Sequence, residues 1–458
     1  MKLKKLFSLA LGTTLVVSLL TGCGAKADPK PIQPETGATD VPVKDTPVAT
    51  EGLDPNIKAT LVFALWDNAS MDLYEEMDLE GRFQKLYPNV TIEFEKVKDD
   101  SEYWNAMKIR ASANQLPDIM YNKTFTLSRF KEYLYDLSDT QAAKNNIIAE
   151  GYSINGEILG VPEKQGHDYL FYWEDMFIEA GVEAPTTWPE LLAASKALQE
   201  YHSKANSDFM AIAIGAKDEW PTYPFMEFMP AAEGGNGQNW NSMAAVDEPF
   251  AEGTDVTKAF NKINTLFTSG VFGKDPLGIG HDQALALFAQ KQAAIFVSGS
   301  WALTGIKEGA TDTSNLRSVY LPARDSESDP FRVVTQGDSF MSVTKHSENP
   351  ELAKAFLEFY FSDAWYPEFI NSIADDNTMK NVTKETDEIL KYAGENQPDI
   401  EYVTYDGGGD EFQALVSETK FDYKKIGAEM FIDGFDLSKK LSELNSAWTG
   451  ARKSLGIQ

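Results

Sequence analysis

The sequence predicts an α/β protein, because short β-rich runs alternate with stretches of helical periodicity along most of its length. Three early segments carry that reading. Residues 60–66 (TLVFALW) form a continuous apolar run of strand length. Residues 71–87 repeat apolar positions at helical spacing and stop at Pro88, and 90–97 (VTIEFEKV) alternate with period two. A β-α-β unit follows, and with it a largely parallel sheet. Farther along, 103–114 reads as a helix, 116–121 (LPDIMY) as a strand and 130–137 as a short helix and loop. Strands at 211–214 and 293–297 then alternate with helices at 188–202, 256–269, 281–290, 350–361 and 437–454.

Length and composition bound what such a chain does. At 458 residues it holds two large domains or three ordinary ones. A hydrophobic content of 43% and an aromatic content of 12% supply a core and many flat rings, which excludes a wholly disordered chain. The 41 Lys and Arg against 70 Asp and Glu give a net charge of −29, a field that repels nucleic-acid phosphates and favours a neutral or cationic small ligand. One cysteine excludes an internal disulfide or a cysteine-based metal site. None of the four histidines is spaced as HExxH, so no metal and no other cofactor is expected.

Residues 1–22 read as a signal peptide: Lys2, Lys4 and Lys5 precede an apolar run from Leu6 to Leu20 that is too short to span a bilayer. The run ends in Leu20-Thr21-Gly22-Cys23, which resembles a bacterial lipobox and marks Cys23 as the lipidated residue that would tie the protein to the membrane. Residues 23–56 follow as a disordered tether, rich in Pro, Thr, Ala and Asp, with Pro29, Pro31, Pro34, Pro42, Pro47 and Pro55 breaking any regular structure. A lipid anchor with a long spacer suits the outer face of a Gram-positive membrane better than a narrow periplasm.

An ordered set of motifs runs through the rest of the chain. FQKLYPNVTIEF at 83–94 and LPDI at 116–119 come first, then ILGVP at 158–162, LFY at 170–172 and AGVEAPTTWPEL at 180–191. LFAQKQAAIFVSGSW at 287–301 and VTKHSENPELAKAFLEF at 343–359 complete it. This set resembles the extracellular solute-binding proteins of carbohydrate ABC importers. The resemblance implies a two-lobe, periplasmic-binding-protein-like (type II) fold with a hinge and a cleft between the lobes. Lobe 1 would comprise 57–165 and 323–362, and lobe 2 would comprise 166–322 and 363–458. Crossings are expected near 161–169, 319–324 and 361–365. It further implies a monomer that binds a mono- or oligosaccharide in the cleft and delivers it to permease subunits.

A sugar presents C–H faces that pack on aromatic rings and hydroxyls that bond to carboxylates and amides. Trp66, Asp67 and Asn68 follow the first strand, at the carboxyl end where open α/β sheets bind ligands, although Trp66 also suits a core and the other two a turn or helix cap. Asn122 and Lys123 follow the 116–121 strand, where the resemblance puts a sugar contact; Asp118 reads as a turn or capping residue. Trp220 and Tyr223 stand in a loop after the 211–214 strand, and Trp301, after Gly299-Ser300, is the residue for which the resemblance most directly implies a sugar platform. Asp338 before a returning strand and Asp410 after three glycines are further candidates, each equally readable as a turn residue. His167 and Asp168 are left without a role.

Catalytic signatures are missing from the sequence. It contains no GxSxG elbow, Walker-type loop or GxGxxG, and the adjacent carboxylates Glu174/Asp175 and Asp375/Asp376 would point apart rather than act as an acid/base pair. The chain therefore reads as a binding protein and not an enzyme. A solute-binding lipoprotein for a peptide or polyamine is the alternative, and a lipid-anchored glycoside hydrolase or an adhesin is more remote.

Overall fold

Nine strands form one sheet in the computed structural model, which describes residues 52–66, 68–97, 100–397 and 399–457. The signal segment, Cys23 and Asp67 lie outside the described residues. The strands are β1 (Ala59–Leu65), β2 (Val90–Lys96), β3 (Ile119–Asn122), β4 (Val161–Trp173), β5 (Met210–Ala213), β6 (Ala293–Gly299), β7 (Leu316–Tyr320), β8 (Phe331–Val343) and β9 (Ile400–Thr404). Their order is β2-β1-β3-β8-β4-β6-β5, with β7 also paired to β4 and β9 to β8.

The two longest strands explain this layout. β4, VPEKQGHDYLFYW, is apolar at both ends and polar in the middle, and its burial follows: residues 161–164 and 169–173 are buried while 165–168 are only half-buried. β8 likewise has half-buried residues at 335, 336 and 338. Each strand passes from one hydrophobic core to another. The first core gathers Leu61, Phe63, Tyr121, Val161, Met341, Phe356 and Trp365, with Tyr103, Trp104 and Phe130 in an adjoining cluster. The second gathers Leu170, Trp173, Phe225, Trp240, Phe260, Ile295, Phe412 and Trp448.

Several expectations change. The sheet is mixed rather than largely parallel: β1/β2, β1/β3, β5/β6 and β8/β9 are parallel, whereas β3/β8, β4/β8, β4/β6 and β4/β7 are antiparallel. The crossing strands account for this, since β4 runs against all its neighbours and β8 against β3 and β4. The chain returns to the first core along β8, between Val334 and Phe340, and not at 319–324, where Val319, Tyr320 and Ala323 pack in the second core. Residues 361–365 are no crossing either. Phe361, Trp365, Tyr366, Phe369 and Met379 all pack in the first core, so the last passage falls between Met379 and Leu390, past the division at 362. Two passages lie inside the long strands β4 and β8 and the third beyond a buried helix, so no break between elements marks them. The 71–87 helix is two helices, Asn68–Glu76 and Leu79–Gln84, parted by Asp78 in the left-handed region at φ 59°, which Asp tolerates better than most residues.

Candidate functional site

Aromatic or charged residues lie beyond the carboxyl ends of β1, β3, β5 and β6, and β8 and β4 stand between the first two strands and the last two. On β4, Pro162 stands in register with Phe340, the partner of Asn122 at the end of β3; six residues on, Asp168 pairs with Gly299 at the end of β6. That step spans roughly 20 Å of strand.

At the β6 end, Trp301 is 36% exposed. Its ring centroid lies 5.3 Å from that of His281 and 6.0 Å from that of Trp220, and Trp220 and His281 are 4.6 Å apart. These rings form one cluster, exposed at Trp301 and buried at His281, with Tyr223 stacked at 6.4 Å behind Trp220. The Tyr223 hydroxyl ties the surface to the sheet. It donates to Asp168 Oδ1 at 2.7 Å, accepts from the Gly299 N–H at 3.0 Å and is also bonded by the Trp301 indole. Gly299 is required by space: a Cβ there would fall on the Trp301 indole, so the ring can lie flat against the strand end only over a glycine. Glu219, immediately before Trp220, has φ 60°, a conformation a Glu adopts only when its surroundings impose it.

Asp168 is the polar member of this unit. Burial pushes its carboxyl up to about 7, while the Tyr223 hydroxyl pulls the other way. Its Oδ2 is sealed from solvent and has no hydrogen-bond partner among the described residues. His281 also keeps a buried Nε2 without a partner, and burial lowers its pKa, which favours the neutral ring. The sequence left Asp168 without a role and did not single out His281. The signal for Asp168 is its register opposite Gly299, and that for His281 is a helix start brought against Trp220, both visible only in three dimensions.

The remaining sequence candidates fall in different places. Trp66 is half-buried, its ring 5.2 Å from Tyr103, 5.3 Å from Trp104 and 5.3 Å from Tyr121, with Lys123 Nζ 5.4 Å from its centroid. Asn68 opens a helix. Asn122 has no exposed surface: its amide donates to Ser342 Oγ at 3.0 Å and accepts from Thr126 Oγ1 at 2.9 Å, which gives it a structural part in the first core. Asp338, half-buried on β8 opposite Lys164, accepts from the Ser339 N–H at 2.8 Å. Asp410 accepts from Ser128 Oγ and Lys131 Nζ, so it joins the helix Asp410–Thr419 of the second core to the first core. Asp118 is structural, though by a long-range tie and not as a turn or cap: its Oδ2 accepts from the Val62 N–H of β1 at 2.8 Å and its Oδ1 from Ser347 Oγ.

The middle of β4 carries further charge. Lys164 Nζ lies 3.5 Å from Asp375 Oδ2, Asp375 Oδ1 accepts from Ser300 Oγ at 2.6 Å, and His167 Nε2 lies 3.4 Å from Asp376. Ser300 and Asp375 bring the loop before Trp301 against the segment that leads into the third passage between the cores.

A family model for bacterial extracellular solute-binding proteins matches residues 81–406. The chain belongs to that family. Among curated relatives, the multiple sugar-binding protein of Streptococcus mutans is 21% identical over 286 residues, 60% of this chain and 65% of that protein, just under two thirds of its length. Two solved structures share the fold. A manno-oligosaccharide specific solute binding protein of Bifidobacterium animalis subsp. lactis, complexed with mannotriose, superposes with a TM-score of 0.70 at 20% identity, covering 87% of this chain and 95% of that one. The apo form of RafE from Streptococcus pneumoniae gives 0.67 at 19%, covering 87% and 100%. The fold is thus the two-lobe type II solute-binding fold, in a family of extracellular proteins. Among the described residues no helix is long and apolar enough to cross a membrane.

Proposed function

We propose that this protein binds a mono- or oligosaccharide between its lobes and delivers it, unchanged, to the permease of an ABC importer. The observation that carries this reading is the Trp220–His281–Trp301 surface locked to Asp168 through Tyr223. Aromatic faces take the C–H face of a sugar ring, and a buried carboxylate oxygen takes a hydroxyl proton. The names of its relatives support the same ligand class. The lobes divide where the cores do: residues up to about 164, and from about 338 to 379, form the first, and the rest of the folded chain forms the second. Asp410, gripping Ser128 and Lys131, closes the rim between them. Hinge closure around the ligand biases the form the permease receives.

Thermal-shift screening against mono- and oligosaccharides, peptides and polyamines tests the ligand class. A bound sugar at about 100 times its Kd stabilises by about 2.7 kcal/mol. Shifts with peptides or polyamines alone would transfer the site to that class, and a sugar recovered cleaved would make the protein a hydrolase. Cys23 is the proposed lipid acceptor on the outer face of the membrane; Cys23→Ser should release the protein from the membrane fraction, and a protein that stays there is anchored otherwise.

A further inference from the structure

Ser300, immediately before Trp301, bonds from the second core to a residue set in the first. Its hydroxyl donates to Asp375 Oδ1 at 2.6 Å, and Asp375 Oδ2 lies 3.5 Å from Lys164 Nζ. All three side chains are buried. Ser300 stands between Phe296 and Leu303 of the second core, whereas Asp375 stands between Ile370 and Met379 of the first. Backbone bonds fix each side. The Ser300 N–H donates to the His167 carbonyl at 3.1 Å, while Gln165 donates to the Asp376 carbonyl at 3.1 Å and accepts from the Asp376 N–H at 2.8 Å. Gly166 alone separates these two attachments, so β4 passes from one core's neighbours to the other's at that residue. A Cβ there would lie 2.9 Å from Ser300 Oγ and 3.1 Å from Asp375 Oδ1, so the pair meets directly over a position that only glycine leaves open.

Resting on the lobe division and closure proposed above, we propose that Asp375 is a positioning residue: by gripping Ser300 across the lobe boundary it sets the Trp301 turn against lobe 1 and slows reopening around a bound ligand. When the lobes part, Asp375 keeps Lys164, which lies in its own lobe, and loses Ser300, so the Ser300–Asp375 bond belongs to the closed form. A hydroxyl on a carboxylate makes a bond about twice as strong as one on a neutral acceptor. The Ser300 carbonyl also accepts from the Leu303 N–H at 3.0 Å, so its hydroxyl and the Trp301 ring are carried by one turn. Asp375 acts through that turn and not by touching the ligand.

The test is calorimetry and stopped-flow tryptophan fluorescence with cellobiose, melibiose and mannobiose, and with trialanine and spermidine as probes of the other ligand classes. Ser300→Ala, which leaves Asp375 and Lys164 paired, should weaken the best-bound probe about 10-fold. The loss should appear as faster dissociation, with the association rate and the melting temperature near those of the unmodified protein, because the bond forms only after the ligand has entered. With Asp375→Asn already in place, the same serine change should cost about 3-fold or less, which is the sign of coupling between the two residues. Gly166→Ala keeps both groups but forces them apart, and should speed dissociation in the same way. Unchanged affinity in Ser300→Ala, equal costs in the two backgrounds, or a loss carried by slower association overturns the proposal. A lower melting temperature with both rates unchanged does so too, since the pair would then serve the fold alone. The expected rate changes with trialanine or spermidine as the only bound probe uphold the proposal and overturn the sugar-binding reading. Binding of no probe overturns both.

Discussion

Two carboxylates on one strand, five residues apart, meet opposite fates. Glu163, at the first-core end of β4, is fully buried among tyrosines: Tyr74, Tyr121 and Tyr360 all direct their hydroxyls at Oε2, and its carbonyl accepts from Tyr366 at 2.8 Å. Asp168, at the second-core end, has one tyrosine partner, Tyr223, which stacks on Trp220 beside the exposed Trp301; each carboxylate keeps one buried oxygen without a hydrogen bond among the described residues. Burial pushes both up to about 7, so titration alone does not separate them. Their surroundings do. Glu163 takes three tyrosine hydroxyls within one core, whereas Asp168 takes one, from Tyr223, and through it is tied to the rings of Trp220, His281 and Trp301 that we propose carry recognition.

The largest effect expected from this contrast concerns stability. Glu163 has a folded pKa near 7 against an ordinary value of 4.5, so the folded state favours the neutral acid. The stability this gives is fully present below about pH 4.5 and is lost as pH rises to about 7, on the order of 3 kcal/mol. Glu163→Gln removes that ionisation. Denaturant unfolding at pH 5 and pH 8 should show the variant gaining on the unmodified protein by up to that amount at the higher pH, with sugar affinity unchanged. A parallel pH profile in the two proteins would mean that Glu163 is ionised in the fold.

Trp301→Ala should give the reverse pair of results: sugar affinity at least about 10-fold weaker and a melting temperature close to normal. A half-exposed ring leaves little cavity when removed, whereas a core Trp costs about 3–5 kcal/mol. Intact affinity with a sharply lower melting temperature would make Trp301 a core residue and move the ligand elsewhere.

Much of this fold was legible in the sequence. The helix Trp188–His202 begins and ends where predicted, because Thr187 and Glu190 form a reciprocal cap within the TTWPE motif and apolar spacing does the rest. Trp220, Tyr223 and Trp301 were each visible as aromatics beyond strand ends, and the structure does gather them. What the sequence hid depends on pairing across long separations. Asp168 gains its place from β6, His281 from the Trp220 loop and Asp410 from the helix Thr124–Phe130, and no local pattern announces such neighbours. Asn122 misled for a related reason: a strand-end amide looks the same whether it meets a ligand or, as here, Ser342 and Thr126.

The most direct test of the central claim, that the surface at the end of β6 recognises the ligand, adds a single methyl group. Gly299→Ala removes none of the side chains assigned to the ligand, yet its Cβ occupies the space of the Trp301 indole and must push the ring off the strand end. Calorimetry on Gly299→Ala should show sugar affinity falling about 5-fold, close to 1 kcal/mol and within the range of one aromatic contact, with a melting temperature near that of the unmodified protein. Unchanged affinity, with a crystal structure showing the indole displaced, would contradict the claim.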